Sequence, residues 1–358
     1  MGTIVAKPLQ PRIKLFQLPY LIIKETVSHM KVSEVISLSM CSKKAKRNVG
    51  QLCLPSQIMM KIYIKDRFII DLIAPGKQRV CASFWIEHGE DDTPIETSYY
   101  ASRYIPGNSE MRRFFFHPSN QVDSKMQLLI LHTLQVYSEC RIKDVYIDFN
   151  MKRRPPNFHA DIALAAVRST ERLSVFGEGL GIDFQNLLES TEVTKRFQCW
   201  DPFPMDYYIR DSLNCAEQIL IENASWLDLE SLYSKNCRVI ELVANRLTTE
   251  DVIVFLNRWR ESVGEDMKNI TCFQIRHSAE WGQIDVHRLE PRPWIGAVRP
   301  RYFQCTLPTH TDDYYNSFDC LQAIDIRRHS DGLLGTVIQK KKLFRFVVWH
   351  HLNQQVPQ

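Results

Sequence analysis

Residues 18–49, LPYLIIKETVSHMKVSEVISLSMCSKKAKRNV, hold more apolar surface than a unit of that length can bury by itself. Three short helices are expected. Leu18-Pro19 opens the first, because proline is tolerated where a helical N–H has no partner. Ile23, Val27 and Met30 follow at i, i+4 and i+7 as one stripe, and Leu21 and Ile22 widen it beyond what a solvated helix needs. Ser33 is placed to cap a second helix carrying Val35, Ile36, Leu38 and Met40. Ser42 is placed to cap a third, which Gly50 ends. The surplus surface must dock on the rest of the chain or on a partner, and periodicity alone leaves both open.

The order of residue types resembles an F-box, the three-helix module that binds the Skp adaptor of SCF-type cullin–RING ubiquitin ligases. Leu18 and Pro19 match the motif's opening Leu-Pro, and Ile22 and Ile23 its next apolar pair. Val35 and Leu38 match the apolar positions of the second helix, and Ser42-Lys43 the following step. The chain departs from the pattern at Ala45, where the family usually has Trp or Phe, and in a Ser-rich second helix. The resemblance implies an adaptor interface anchored by Leu18, Pro19, Ile22, Ile23, Val35 and Leu38.

Charge agrees in sign. Residues 1–50 contain nine Lys/Arg and two Asp/Glu, a net of +7, while the remainder holds 36 basic and 39 acidic residues, a net of −3, giving +4 for the chain. A basic module on a near-neutral body suits an acidic partner surface, and the family's adaptor is acidic. The run Lys43, Lys44, Lys46, Arg47 has no interleaved aromatics and no groove-reading motif, so nucleic acid is not the expected partner.

No apolar run approaches the roughly 20 residues of a membrane span. The first 14 residues have no signal-peptide core. The ten cysteines form no CxxC pair and none has His at zinc-finger spacing, so reduced thiols in the cytosol or nucleus are expected.

After residue 53 the pattern changes. IMMKIYIKDRFIIDLI and RVCASFWIEH read as strands joined by a turn at Ala74-Pro75-Gly76-Lys77. GEDDTPIET reads as an acidic loop and RRFFFHP as a further strand. From about 124, helix and strand alternate: KMQLLILHTLQVYSEC as helix, DVYIDFN as strand, MKRRPPNFHAD as loop and DIALAAVRSTERL as helix. CRVIELVAN is a strand, followed by a helix that Thr248 caps with Asp251 as box partner. Val252, Phe255, Leu256 and Trp259 form its buried face, Gly264 ends it, and KNITCFQI is the next strand. Such strand–helix units predict an open, leucine-rich-repeat-like α/β solenoid, although the LxxLxLxxN consensus is absent.

The block from about 219 to 276 also resembles the type 2 F-box-associated domain of nematode F-box families. The matching residues are Asn223, Ser225-Trp226-Leu227, Leu229, Leu232, Asn236-Cys237, the Leu247-to-Asp251 step, Phe255-Leu256 and Trp259. DGLLGTVIQKKKLFRFVVWH is similar to that family's closing strand pair, with Asp331-Gly332 at a turn.

No site chemistry stands out. His350-His351 would point to opposite faces of a strand, and His277 and His287 have no carboxylate at metal spacing. Asp201 and Asp206 bracket a rigid loop without an acid–base partner, and Glu178-Gly179-Leu180-Gly181 is too short for a phosphate cradle. No cofactor, metal or catalytic residue is assigned. The chain is expected to divide into an F-box module (12–52), a β-rich segment (53–123), an α/β repeat-like region (124–290) and a C-terminal segment with a strand pair (291–358). The expected role is a non-catalytic substrate receptor of the ligase, holding a target protein through the body. The alternatives are an interaction scaffold outside any ligase and an enzyme with an unrecognised α/β site.

Overall fold

The computed structural model describes residues 14–52, 58–65, 68–74, 80–86, 112–116, 122–150, 158–177, 182–200, 216–224, 227, 229–233, 237–243, 246–263, 267–277, 280–293, 295–296, 298–305 and 317–350. After a 3-10 turn at Leu15–Gln17 come α1 (Tyr20–Ser28), α2 (Val32–Met40) and α3 (Lys43–Gly50). Pro19 sits one residue before α1, with extended backbone. Ser42 caps α3 as its position suggested, its Oγ accepting the Ala45 N–H at 3.0 Å. Ser33 does not cap α2. Lys31 holds that position, and its N–H donates to the Glu34 carboxylate at 3.0 Å, so the acidic side chain three residues on takes over the task.

The body follows as β1 (Met59–Ile64), β2 (Phe68–Ile73), β3 (Val80–Ile86), β4 (Arg112–Phe116), α4 (Val122–Val136) and β5 (Arg141–Asp148). Then come α5 (Ala160–Ala163), β6 (Ser169–Phe176), α6 (Ile182–Ser190), β7 (Glu192–Cys199), β8 (Gln218–Ile221) and α7 (Glu230–Tyr233). β9 (Val239–Val243), α8 (Thr249–Glu261), β10 (Cys272–Arg276), β11 (Arg292–Pro293), β12 (Tyr302–Gln304), β13 (Ser317–Asp319), β14 (Ile324–Arg327), β15 (Leu334–Lys340) and β16 (Leu343–Val348) complete it.

Fourteen of these strands form one sheet, in the order β11-β14-β15-β16-β10-β9-β8-β7-β6-β5-β1-β2-β3-β4. From β5 to β10 each strand lies parallel beside the next one in the chain. β1 joins that run by parallel pairing with β5, so the sheet passes without a break across residue 123. IMMKIYIKDRFIIDLI is not one strand but two, β1 and β2, folded back antiparallel with Ile64 opposite Phe68. The expected turn at 75–77 and the loop 89–97 lie outside the described residues.

DIALAAVRSTERL is helical only over Ala160–Ala163. From Ser169 it is strand, because Leu173 and Val175 alternate with solvent-facing neighbours and pair with β5 and β7. Asp331-Gly332 does lie at a turn, leading into β15, with Gly332 in the left-handed region at φ 72°. The closing pair, β15 and β16, is antiparallel with Lys340 opposite Leu343.

One face of the sheet carries the main core. Ile147, Val175, Phe197, Ile240 and Phe273 pack there with the apolar sides of α4, α6 and α8. α8 begins as its sequence predicts. Thr248 Oγ1 accepts the Asp251 N–H at 3.2 Å, and the Thr248 N–H donates back to Asp251 at 2.6 Å. Phe255 stacks on Phe273 at 4.0 Å, and Trp259 meets Phe346 edge-on at 4.8 Å. The helix stops at Glu261, before Gly264, which lies outside the described residues; Ser262 is already extended. On the opposite face, the β12–β13 pair covers Val239, Cys272 and Val347 with Phe303 and Phe318. That cover stops short of β1 and β5–β7, where side chains on the same face remain half-exposed.

Candidate protein-docking surface

The three N-terminal helices dock on the body. α2 touches β3 and α4, and α3 touches α4. Val27, Val35, Ile36 and Val49 are buried in the same core as Met60, Phe84 and Ile130. Ala45 is buried too, so the place where the family carries an aromatic is filled to contact by a methyl group. Ser39 Oγ lies 2.7 Å from His132 Nε2 on α4, a polar tie across this seam. Burial, and secondarily the charge of Lys46, lowers the His132 pKa to about 4, so the ring is neutral at physiological pH.

Docking divides the six expected anchors. Ile23 (8% exposed) and Val35 (2%) face the chain's own core and are not available as contacts in this form. The stripe they belong to is the one the body covers. Leu18 and Leu38 are half-buried against that core, and Pro19 and Ile22 (50% exposed) look outward. Tyr20 (55%) and Leu21 (75%) extend the outward patch. Tyr20 was not among the expected anchors. Its signal was the continuity of the apolar run 20–23, which places apolar residues on both sides of a helix only nine residues long.

α3 presents Lys43, Lys44 and Arg47 to solvent. The F-box helices thus expose an apolar strip on α1 and a set of cations on α3.

The remaining groups do not assemble a reaction centre among the described residues. His350 Nε2 is 2.7 Å from the Ile270 carbonyl oxygen, and His277 meets Trp281 edge-on at 5.4 Å. Burial pushes the Cys140 thiol to about 12 and that of Cys320 to about 11. A hydrogen bond with Cys305, with burial second, raises Cys272. Burial thus disfavours the thiolate form at these three positions. No three His, Cys, Asp or Glu side chains among the described residues converge as metal ligands would. Among the same residues no helix is long and apolar enough to cross a membrane. Asp201, Asp206 and the segment 178–181 lie outside the described residues.

Comparison with known proteins agrees with the geometry of the first module. Residues 15–57 match the F-box domain, so α1–α3 and the patch on α1 lie within that domain. Over 152 residues, 41% of this chain, the sequence is 23% identical to an uncharacterized protein of Caenorhabditis elegans, and the match spans only 33% of that relative. Over 308 residues, 78% of this chain and 82% of the relative, it is 18% identical to the Skn-1 dependent zygotic transcript 15 protein of the same organism. No solved structure matches.

Proposed function

We propose that the chain is a substrate-recognition subunit of an SCF-type cullin–RING ubiquitin ligase. F-box domains typically bind the Skp adaptor, and the observation carrying the proposal is the outward apolar strip of Pro19, Tyr20, Leu21 and Ile22 inside the F-box match. Ile23 and Val35 then act from beneath, fixing α1 and α2 on the body.

The body takes the target. Its support is the chain-order run of parallel strands β5–β10, which we interpret as an open leucine-rich-repeat-like solenoid. The stretch from about 219 to 276 works in this reading as a type 2 F-box-associated domain. Of its matching residues, Leu227, Leu229, Leu232, Phe255, Leu256 and Trp259 are buried, and Ser225, Trp226 and Asn236 lie outside the described residues. The chain has no catalytic step of its own. Ubiquitination proceeds by proximity, since tethering raises the effective concentration of target lysines near the conjugating enzyme. Cytosol or nucleus is the compartment where such a complex and reduced thiols coexist.

The test is direct binding of purified chain to the Skp adaptor, repeated with Leu18→Ala/Pro19→Ala and with Ile22→Ala. Loss of affinity in the variants is expected. No binding by the parent chain, or unchanged binding by the double variant, overturns the reading.

The inward orientation of Ile23 and Val35 favours a second reading, a scaffold outside any ligase whose F-box helices serve its own core. Target half-life separates the two, because only a ligase receptor shortens it in a proteasome-dependent way.

A further inference from the structure

Beyond β12–β13, the sheet face opposite the helices carries two parallel rows of half-buried side chains. Strand register fixes the first. Trp85, Ile69, Tyr63 and Tyr146 are successive Cα partners across β3, β2, β1 and β5. Phe176 continues the row, its ring 4.7 Å from that of Tyr146, and Trp200 stacks on Phe176 at 3.8 Å and 12°. All six are half-exposed. Lys65 Nζ lies 5.4 Å from the Tyr63 ring centre. Six strand positions at about 4.8 Å spacing make a strip roughly 24 Å long, the reach of about seven extended residues.

The second row lies one step along the strands: Asp71, Lys61, Asp144, Arg172 and Arg196, again as successive Cα partners. Lys61 pairs with Asp144 at 3.2 Å, and Arg172 pairs with the same carboxylate. Asp144 thus serves two cations. Arg196, beside Arg172, has a buried Nε with no hydrogen-bond partner among the described residues. The buried Glu241 carboxylate already acts on the Arg196 charge from within the chain, and a carboxylate arriving beside Arg172 would add a charge-assisted contact to the part of the guanidinium that remains exposed.

Aromatic rings, arginine and half-exposure are the composition of energetically dominant protein contacts. Single-stranded nucleic acid also stacks on such rings, but a phosphodiester chain would meet Asp71, Asp144 and Asp148 along the same face. A single carboxylate between Arg172 and Arg196 stays clear of Asp71 and Asp148, with Arg172 between it and Asp144.

We propose that this face holds an extended segment of the captured protein, with aromatic or proline rings lying along the Tyr63–Phe176 row and an acidic side chain seated between Arg172 and Arg196. This deepens the receptor reading by placing the target site and giving the target's chemistry.

The test uses the full chain and a displayed library of random peptides of about 12 residues, long enough to cross the row. The expected winners carry an acidic residue flanked by aromatic residues or proline. Replacing that acid by its amide should weaken binding about tenfold, and Phe176→Ala should do the same. Arg196→Gln should leave the rings' contribution but abolish discrimination between acid and amide peptides, an outcome a misfolded variant cannot give. No enrichment, winners that are basic, winners indifferent to both variants, or tighter binding of a fluorescent single-stranded oligonucleotide of similar length would each overturn the proposal. Because adaptor binding is measured separately, its failure with intact peptide selection would count against the ligase role and leave the groove standing.

Discussion

Ser39 on α2 and His132 on α4 meet at 2.7 Å, oxygen to Nε2, and so join an F-box helix to the body by a side-chain polar contact. The Ser39 hydroxyl also lies 2.7 Å from the Ile36 carbonyl, to which it donates. The serine oxygen is then left to accept the imidazole N–H.

This contact makes docking sensitive to acid. The folded chain holds His132 near 4, against 6.5 for an ordinary histidine. Between those values the unfolded chain takes up a proton that the folded chain refuses. The contribution is complete above about pH 6.5 and is lost as pH falls toward 4. Partial solvent access discounts it to ~1–2 kcal/mol. Urea unfolding at about pH 7.5 and about pH 5 measures it, and His132→Gln should show the smaller drop. Equal drops in parent and variant would exclude the assignment.

Neighbouring isoleucines should behave oppositely. Ile22→Ala should lower adaptor affinity and leave the urea midpoint within about 0.5 kcal/mol of the parent. Ile23→Ala, which opens a void under α1, should cost about 2–4 kcal/mol of stability. Paired binding and unfolding curves for the two variants decide this. A stability loss at Ile22 equal to that at Ile23 would mean that the outward patch is buried in solution.

Gly335 is required by close packing. A Cβ there would stand 2.4 Å from Phe346 and 3.0 Å from Trp259. Neither ring has room to retreat, since both are buried against α8 and β10. Gly335→Ala should lower stability by about 1–3 kcal/mol, read as a fall in the thermal midpoint. An unchanged midpoint would show that the β15–β16 pair can shift to accept a methyl group.

Arg299 and Asp325 form a buried pair at 2.8 Å, and Asp325 also accepts the Thr336 hydroxyl at 2.6 Å. Arg299 spans further, to the Cys320 carbonyl at 3.0 Å. Arg299→Met leaves Asp325 buried without its cation and should cost about 3–5 kcal/mol. Arg299→Met with Asp325→Leu removes both charges and should recover most of that loss. Failure of the double variant to recover would mean that the pair's packing, not its charge, is what the body needs.

Local features were legible in the sequence, and long-range joins were not. Thr248, Asp251 and the apolar run to Trp259 specify α8 within 12 residues of chain, and the structure follows them. Ser42 likewise reads correctly as a cap. RSTERL was misread because Ala163 to Val167 continues a helical composition, and only pairing with β5 and β7 makes the following residues strand. The pairing of Met60 with Ile142 and of Cys272 with Val347 joins segments whose periodicity carries no address. The F-box resemblance groups Ile23 and Val35 with Ile22, and neither it nor periodicity says which sides of α1 and α2 meet the body. The row from Trp85 to Trp200 is illegible in sequence for the same reason, since its members come from five separate strands and the residue that follows β7.

The position of β16 beside β10 sets an order of events during synthesis. The F-box helices and α4, on which they dock, are complete by residue 136. β10 must wait for residues 343–348 before its second edge is paired. A nascent chain therefore gains the outward surface of its F-box helices well before its body closes, and in that interval the exposed edge of β10 is a point at which misassembly or chaperone capture would begin.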